Sequence, residues 1–287
     1  MNVTGGPSTG PSMAGTPVIV IGGGKMGCGI TVMLLENGHP VTVLEADAER
    51  AGQVKVSIDD YLEARGSRDR SERPSYAVLP FDRFTSTAPL VVETIPESVA
   101  LKKEILPRAE QLVAPGGFLC SNTSSLSITD LATAVARPAR FIGLHFFQPV
   151  PDTRLMEIVV GEKTDHATVG DAHAWVDSLG RNGIEVRDSP GFATSRLGLA
   201  IGLEAMRMVE EGVASAEDID TGMRLGYQHA IGPLRMTDMV GLDTRLAIAT
   251  HLAETLGPRF EPPNILREMV ARGELGQKSG RGFFEWT

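Results

Sequence analysis

The sequence has 287 residues, of which 42% are hydrophobic and 22% charged, the composition of an ordinary globular protein. Its 36 acidic residues outnumber its 27 basic residues, and the net charge of −9 argues against a nucleic-acid-binding protein. No apolar run reaches the roughly 18 residues of a membrane span, and two cysteines suggest neither a disulfide framework nor a metal motif. We expect a cytoplasmic protein with no metal, nucleic-acid or membrane partner, and a flexible Gly- and Pro-rich tail over residues 1–16.

The first predicted elements form a strand–helix–strand unit. Residues 17–21 (PVIVI) predict a buried strand, a glycine-rich turn follows, and apolar spacing predicts a helix that ends near Asn37-Gly38. Residues 41–44 predict a second strand, which ends at Glu45. This order of elements is typical of the start of a nucleotide-binding sheet.

The turn after the first strand matches the pattern G-x-G-x-x-G. Gly22 permits the tight turn, Gly24 lets the backbone approach a pyrophosphate, and Gly27 lets the helix pack closely on the strand. Glu45 ends the second strand, where a carboxylate can bind the ribose hydroxyls of NAD and would repel the 2′-phosphate of NADP. A tight turn in an unrelated α/β protein would use similar glycines, but the position and spacing favour NAD. The predicted cofactor-binding residues of this segment are Gly22, Gly24, Lys25, Met26, Gly27 and Glu45.

Strands and helices continue to alternate, which predicts a mostly parallel, doubly wound α/β sheet. Residues 48–64 predict a helix, and the charged, proline-containing segment from there to Arg83 predicts a loop. The further predicted strands are at 90–92, 117–120, 141–147 and 155–161, and the further predicted helices are at 98–112 and 126–136.

From residue 190 onward the apolar spacing is helical throughout. This change predicts a Rossmann-type NAD-binding domain over residues 17–188 and an all-helical domain over residues 189–287. The predicted helices of the second domain are at 194–211, from Ser215 onward, at 236–256 and at 262–272.

His145 lies within an otherwise apolar predicted strand. If residues 141–161 fold back as antiparallel strands about Pro151, paired residue numbers sum to 302, which places His145 opposite Glu157. A buried carboxylate fixes the tautomer of a neighbouring imidazole, as general-base removal of a hydroxyl proton requires. A buried polar pair that braces a hairpin would look the same, and the spacing alone does not separate the two interpretations.

Ser124 lies in a polar segment after a predicted strand. Open α/β sheets bind ligands beyond the carboxyl ends of their strands, where a hydroxyl can contact a substrate oxygen. The same segment could instead begin the next helix as an N-cap.

The motifs GGGKMGCGI, VVETIPE, SNTSSL, GLHFFQPVP, PGF and GQKSGRGFF together resemble the L-3-hydroxyacyl-CoA dehydrogenases, including their 3-hydroxybutyryl-CoA members. The resemblance extends from about residue 17 to the end of the chain. It implies a Rossmann-type NAD domain, a helical C-terminal domain that forms a homodimer, and reversible NAD-dependent oxidation of a 3-hydroxyacyl thioester.

The resemblance also implies roles for individual residues. His145 matches the catalytic base, Glu157 matches the acid paired with it, and Ser124 matches a serine that contacts substrate and nicotinamide. The further positions that match cofactor contacts are Glu97, Lys102 and Lys278.

Several positions depart from the family pattern. Ser195 stands where the family has a substrate-contacting catalytic asparagine, and Gln148 replaces an asparagine that contacts the cofactor. Tyr61 stands where a CoA-contacting serine would be, and the arginines that follow, including Arg68, could pair with phosphate or form a solvated loop. We therefore expect Ser195, Tyr61 and Arg68 to contact the substrate.

These departures leave other functions open. A dehydrogenase for a small hydroxyacyl group on an acyl carrier protein would keep Ser124, His145 and Glu157 and relax the CoA contacts. A catalytically weak NAD-binding scaffold would tolerate all the changes. A dehydrogenase for free hydroxy acids would need a cationic anchor, for which Arg154 or Arg196 are candidates.

Overall fold

A computed structural model describes residues 13–66 and 74–286 of the chain. The chain divides into two compact units, residues 1–188 and 189–287. Each unit has a hydrophobic core of its own.

The first unit is built on one eight-stranded sheet. Its strands are β1 (Val18–Ile21), β2 (Val41–Glu45), β3 (Tyr76–Pro80), β4 (Ala88–Glu93), β5 (Val113–Ser121), β6 (Phe141–Phe146), β7 (Leu155–Val160) and β8 (Asn182–Arg187). They lie in the order β3-β2-β1-β4-β5-β6-β7-β8, and all neighbours are parallel except β6 and β7. The predicted doubly wound, mostly parallel sheet is confirmed.

The helices of this unit are α1 (Lys25–Glu36), α2 (Ala48–Ala64), α3 (Val99–Glu110), α4 (Ile128–Leu131) and α5 (His166–Ser178). The predicted turn and first helix are confirmed. The four residues of β1 are β-branched and buried. The chain then turns at residues 22–24 into α1, which ends where Asn37 caps it and Gly38 adopts a positive φ of 87°.

The predicted helix over residues 126–136 is too long. Ser127 caps α4, which ends at Leu131 and tightens into a short 3₁₀ turn at Ala132–Ala134. The carboxylate of Glu110 accepts hydrogen bonds from the backbone N–H groups of residues 136 and 137, at 2.8 and 2.7 Å. These bonds stabilise an extended chain where the apolar spacing predicted a continuing helix.

The two edge strands of the sheet, β3 and β8, were not predicted from the sequence. β3 lies within the predicted loop, and its last residue, Pro80, is tolerated because an edge strand leaves one side of its backbone unpaired. β8 has the sequence NGIEVR and is largely exposed, which is the polar character that protects sheet edges from further pairing.

The second unit contains α6 (Thr194–Glu210), α7 (Ala216–Gly226), α8 (Pro233–Val240), α9 (Leu242–Leu256) and α10 (Asn264–Ala271). The predicted start at Ser215 is confirmed, because its hydroxyl accepts a hydrogen bond from the Asp218 N–H at 3.1 Å. The single helix predicted over 236–256 is wrong. Gly241 has a φ of 101°, which an α-helix cannot contain, and it separates α8 from α9.

The C-terminal segment is held by a buried carboxylate in α8. Asp238 accepts hydrogen bonds from the backbone N–H groups of Phe283 and Phe284 and from the indole of Trp286, at 2.9 to 3.0 Å. Among the helices of the described residues, none has both the length and the apolar composition to cross a membrane.

Candidate active site

The glycine turn has the close contacts that its sequence requires. A Cβ atom on Gly27 would lie 1.9 Å from the carbonyl oxygen of Gly22, so the approach of α1 to the turn depends on glycine at position 27. A Cβ atom on Gly24 would meet nothing within 4 Å. The backbone before α1 therefore borders open space at the positive end of a helix dipole, which suits the pyrophosphate of a dinucleotide.

Glu45 is fixed beside this turn. Its Oε1 accepts a hydrogen bond of 2.6 Å from the N–H of Gly23, and its Oε2 accepts one of 3.2 Å from Ala46. The carboxylate at the end of β2 is thus placed next to the turn, where ribose hydroxyls of NAD could donate to it. Its negative charge would repel an additional phosphate.

Cys28 packs beneath the turn, with its thiol 3.1 Å from the carbonyl of Gly23. Burial, reinforced by the charge of Glu45, raises the pKa of this thiol. Gln148, which follows β6, donates from Nε2 to the sulfur of Met26 at 3.2 Å. The end of β6 therefore lies against the glycine turn, although the two are more than 120 residues apart in sequence.

His145 and Glu157 are cross-strand partners in β6 and β7. The predicted register is therefore confirmed. His145 Nδ1 lies 2.7 Å from Glu157 Oε2, the carboxylate is fully buried, and the imidazole is 7% exposed. The ring of Phe147 packs against the imidazole at 4.4 Å between centroids. The carboxylate holds the hydrogen on Nδ1, which makes Nε2 the nitrogen able to accept a proton.

Ser124 follows β5, the neighbour of β6. Its segment is tied to the end of β6 because the Asn122 side-chain oxygen accepts a hydrogen bond of 2.9 Å from the N–H of Phe146. The N–H and hydroxyl of Ser124 both face Glu97 Oε1, at 2.9 and 3.3 Å. Ser124 and His145 thus come from adjacent strands at the same carboxyl edge, as we expected. The N-cap of α4 is Ser127, so Ser124 is not used to begin that helix.

Glu97 accepts hydrogen bonds from three consecutive residues of the serine-rich segment, Thr123, Ser124 and Ser125. Partial burial would raise the pKa of Glu97, but these hydrogen bonds and the charge of Lys102 outweigh it and keep the pKa below its ordinary value. An ionised carboxylate therefore fixes the loop that carries Ser124.

Lys102 is buried. Its ammonium donates to Glu93 Oε1 at 2.6 Å and to the carbonyl of Ile95 at 3.1 Å, and Glu97 Oε2 lies 3.6 Å away. Glu93 also accepts from the hydroxyl of Ser121 at 2.5 Å. Glu93 was not among the predicted site residues, although a carboxylate that ends the apolar strand VVE is a signal for it.

Three further residues of the first unit bear on the predicted substrate contacts. Tyr61 is partly buried and packs against the hydrophobic core. Arg68 lies outside the described residues. Arg65 does not extend a free guanidinium, because it pairs with Glu36 at 2.7 Å and Asp152 at 3.0 Å. Substrate contacts by Tyr61 and Arg68 stay predictions.

Two predicted residues belong to the second unit. Ser195 lies in the first turn of α6 and is half-buried. Lys278 pairs with Asp243, with its ammonium 2.5 and 2.6 Å from the two carboxylate oxygens. Within residues 13–66 and 74–286, no group of His, Cys, Asp and Glu side chains is arranged to hold a metal ion.

The fold and site define a class: a Rossmann-type, NAD-binding dehydrogenase with an imidazole–carboxylate pair at the carboxyl edge of its sheet. Comparison with known proteins gives the family. Residues 17–189 match the 3-hydroxyacyl-CoA dehydrogenase NAD-binding domain, and residues 191–286 match the 3-hydroxyacyl-CoA dehydrogenase C-terminal domain. The chain belongs to the 3-hydroxyacyl-CoA dehydrogenase family, which confirms the resemblance and the NAD cofactor inferred from sequence.

Individual relatives match along nearly their whole length. The probable 3-hydroxybutyryl-CoA dehydrogenase of Deinococcus radiodurans is 39% identical over 274 residues, covering 93% of this chain and 99% of the relative. The mitochondrial hydroxyacyl-coenzyme A dehydrogenase of Rattus norvegicus is 36% identical, and the match covers 94% of this chain and 90% of the relative. The crystal structure of (S)-3-hydroxybutyryl-CoA dehydrogenase from Ralstonia eutropha superposes with a TM-score of 0.86 at 34% identity. The superposition covers 96% of this chain and 100% of that structure's chain.

Proposed function

We propose that this chain interconverts a short-chain 3-hydroxyacyl-CoA and the corresponding 3-ketoacyl-CoA. The observation that carries the proposal is the 2.7 Å contact of His145 with Glu157 on a strand whose end lies against the glycine turn. NAD, when bound, supplies the hydride acceptor for this reaction. The names of the relatives support an acyl-CoA substrate.

His145 acts as the general base. Glu157 keeps the hydrogen on Nδ1, so Nε2 takes the proton of the 3-hydroxyl group during oxidation and returns it during reduction. The buried carboxylate of Glu157 then stabilises the imidazolium that proton transfer creates. A base in this position typically contributes about 10²–10⁴-fold to the rate.

Ser124 orients the hydroxyl group of the substrate. Its position is fixed by the hydrogen bond of 2.9 Å from its backbone N–H to Glu97 Oε1. Its hydroxyl, which faces the same oxygen over a longer 3.3 Å, would turn away from Glu97 to donate to a substrate oxygen. Ser195, which stands at a substrate-contacting position of the family pattern, is a further predicted substrate contact. Because serine is shorter than asparagine, a bridging water would complete that contact.

The carrier of the acyl group is tested by comparing thioesters. NADH oxidation at 340 nm is followed with acetoacetyl-CoA, with acetoacetyl-pantetheine and with the same acyl group on a carrier protein. We expect turnover with acetoacetyl-CoA at a kcat/KM above that of both other thioesters. A higher kcat/KM with the carrier-protein thioester would show that the substrate is carried by an acyl carrier protein and not by CoA. Absence of turnover with all three would support the NAD-binding scaffold instead.

A homodimer through the helical unit forms part of the proposal. Leu197 and Ile201 lie on α6, and Leu225 and Tyr227 lie at the end of α7, and all four side chains are exposed. Exposed apolar side chains at these helices favour burial against a second copy. Light scattering at micromolar concentration should give the mass of two chains, and the mass of one chain would contradict this part of the proposal.

A further inference from the structure

A buried carboxylate that the proposed reaction does not use lies at the end of β4. Glu93 is fully buried, and its neighbours in the sheet are Ile21, the last residue of β1, and Ser121, the last residue of β5. The chain continues from β1 to β2 on one side and from β4 to β5 on the other, and open α/β sheets form their ligand crevice at such a point. A buried charge is costly unless it is paired, so its partners indicate its role.

The carboxylate of Glu93 joins three segments at this point. Its Oε1 accepts hydrogen bonds from the ammonium of Lys102, in α3, at 2.6 Å and from the backbone N–H of Ile95 at 2.7 Å. Its Oε2 accepts a hydrogen bond of 2.5 Å from the hydroxyl of Ser121. The start of α3, the turn after β4 and the end of β5 are therefore held by one charged side chain.

The ammonium of Lys102 connects this carboxylate to a second one. Lys102 is 1% exposed, and besides Glu93 it faces Glu97 Oε2 at 3.6 Å, an ion pair beyond hydrogen-bond distance. The other oxygen of Glu97, Oε1, accepts hydrogen bonds from the backbone N–H groups of Ser124 and Ser125, at 2.9 and 3.2 Å. Glu93 thus holds the ammonium on one side of Glu97, and the opposite oxygen is left to hold the 123–125 segment.

The substitution Glu93→Gln would remove this charge and keep the shape of the side chain. The amide can retain all three hydrogen bonds, with its oxygen as the acceptor and its NH2 group as the donor to the serine hydroxyl. The buried ammonium of Lys102 would then have Glu97 as its one remaining carboxylate within 4 Å among the described residues. Because an uncompensated buried ammonium is costly, we expect it to draw Glu97 away from the 123–125 segment.

We propose that Glu93 is a positioning residue for this reaction. Through Lys102 and Glu97, it holds the segment that carries Ser124 at the place where this serine orients the substrate hydroxyl. The inference rests on the proposed function, which supplies the role of Ser124. Glu93 itself contacts neither substrate nor cofactor, and its charge affects the rate through the placement of this segment.

Amide hydrogen exchange of the full chain tests the placement without a substrate. In Glu93→Gln, the N–H groups of Ser124 and Ser125 should exchange about tenfold faster than in the wild-type chain, because each loses a hydrogen bond to a charged acceptor. The matched control is Leu179→Ala, which truncates a buried core side chain of the same unit and so lowers stability as well. This control should leave exchange at the two serines unchanged.

A second variant separates positioning from stability. Glu93→Gln with Lys102→Met replaces both buried charges by neutral side chains, which restores much of the stability that one unpaired charge would cost. Glu97 Oε2 then faces no ammonium, so exchange at Ser124 and Ser125 should stay fast although the chain is stable. This variant decides the inference even where Glu93→Gln alone does not fold. Wild-type exchange at both serines in either variant would overturn the inference.

Kinetics test whether the effect passes through Ser124. With acetoacetyl-CoA and saturating NADH, Glu93→Gln should lower kcat/KM by about 10- to 100-fold in the wild-type background, because the serine is displaced. In the Ser124→Ala background, the same substitution should cost less than about threefold. Glu93→Asp, which keeps the charge, should retain more activity than Glu93→Gln.

Equal fold losses in the two backgrounds would contradict the inference, because Glu93 would then act independently of Ser124. An activity of Glu93→Asp no higher than that of Glu93→Gln would contradict it as well, since the charge would not be the property that matters. If no thioester is turned over, the proposed function fails, and exchange at Ser124 and Ser125 still decides whether Glu93 positions the segment.

Discussion

The imidazole of His145 and the carboxylate of Glu157 face each other across β6 and β7, with 2.7 Å between Nδ1 and Oε2. Because β6 and β7 are the antiparallel pair of an otherwise parallel sheet, this contact depends on a hairpin inserted beside the NAD-binding strands. The buried carboxylate keeps the imidazole hydrogen on Nδ1. The pair lies at the carboxyl edge of the sheet, where open α/β sheets bind ligands.

Glu157→Gln should lower kcat by about 10²-fold or more and leave the affinity for NADH unchanged. The amide has nearly the shape of the carboxylate but does not stabilise an imidazolium or select its tautomer in the same way. Steady-state kinetics with acetoacetyl-CoA and a fluorescence titration of NADH provide the two measurements.

Glu185→Gln is the matched control for this substitution. Glu185 also pairs with a histidine, His173, but at 3.5 Å and with both side chains exposed on α5 and β8. This variant should keep the wild-type kcat. Equal losses in the two variants would mean that Glu157 has no specific part in catalysis.

Lys102→Met should lower the free energy of unfolding by about 3–5 kcal/mol, because it leaves the buried carboxylate of Glu93 without its cation. Replacing both residues, as Glu93→Gln with Lys102→Met, should recover much of that loss. Urea denaturation of the three proteins measures both effects.

The neighbouring Lys103→Met is the control for stability. Lys103 pairs with Asp130 at 2.7 Å, but both side chains are substantially exposed, so its loss should cost less than about 1 kcal/mol. If Lys102→Met were as stable as Lys103→Met, the buried pair would not stabilise the sheet edge that carries the site.

Glu45→Gln should raise the Kd for NADH about tenfold or more and weaken discrimination against NADPH, because a charged acceptor for the ribose hydroxyls is lost. Fluorescence titrations with both nucleotides test this. Asp47→Asn changes the charge two residues away but keeps an N-cap residue for α2, and it should bind NADH normally. An unchanged NADH Kd in Glu45→Gln would remove this carboxylate from the cofactor site.

Periodicity and turn residues were sufficient to predict the parts of the molecule that local sequence determines. The glycine turn, α1 and the His145–Glu157 register follow from short-range spacing, and the structure confirms them. The failures arise where another segment competes with the local pattern. Glu110 holds residues 136 and 137 extended after α4, and Gly241 interrupts an apolar spacing that otherwise reads as one helix.

The buried polar groups were the least predictable. Glu93, Lys102 and Ser121 meet only because β4, α3 and β5 pack together, and charged residues in a sequence are ordinarily interpreted as exposed. Tertiary packing, which periodicity does not encode, brings such residues together.

The kcat of His145→Gln, measured with acetoacetyl-CoA and saturating NADH, tests the central claim most directly. His173→Gln is the matched control, because it removes an exposed imidazole from the same unit. We expect kcat of His145→Gln to fall by about 10²–10⁴-fold, with NADH affinity retained and the control unaffected. A kcat within a few-fold of the wild-type value would show that this imidazole does not transfer the proton.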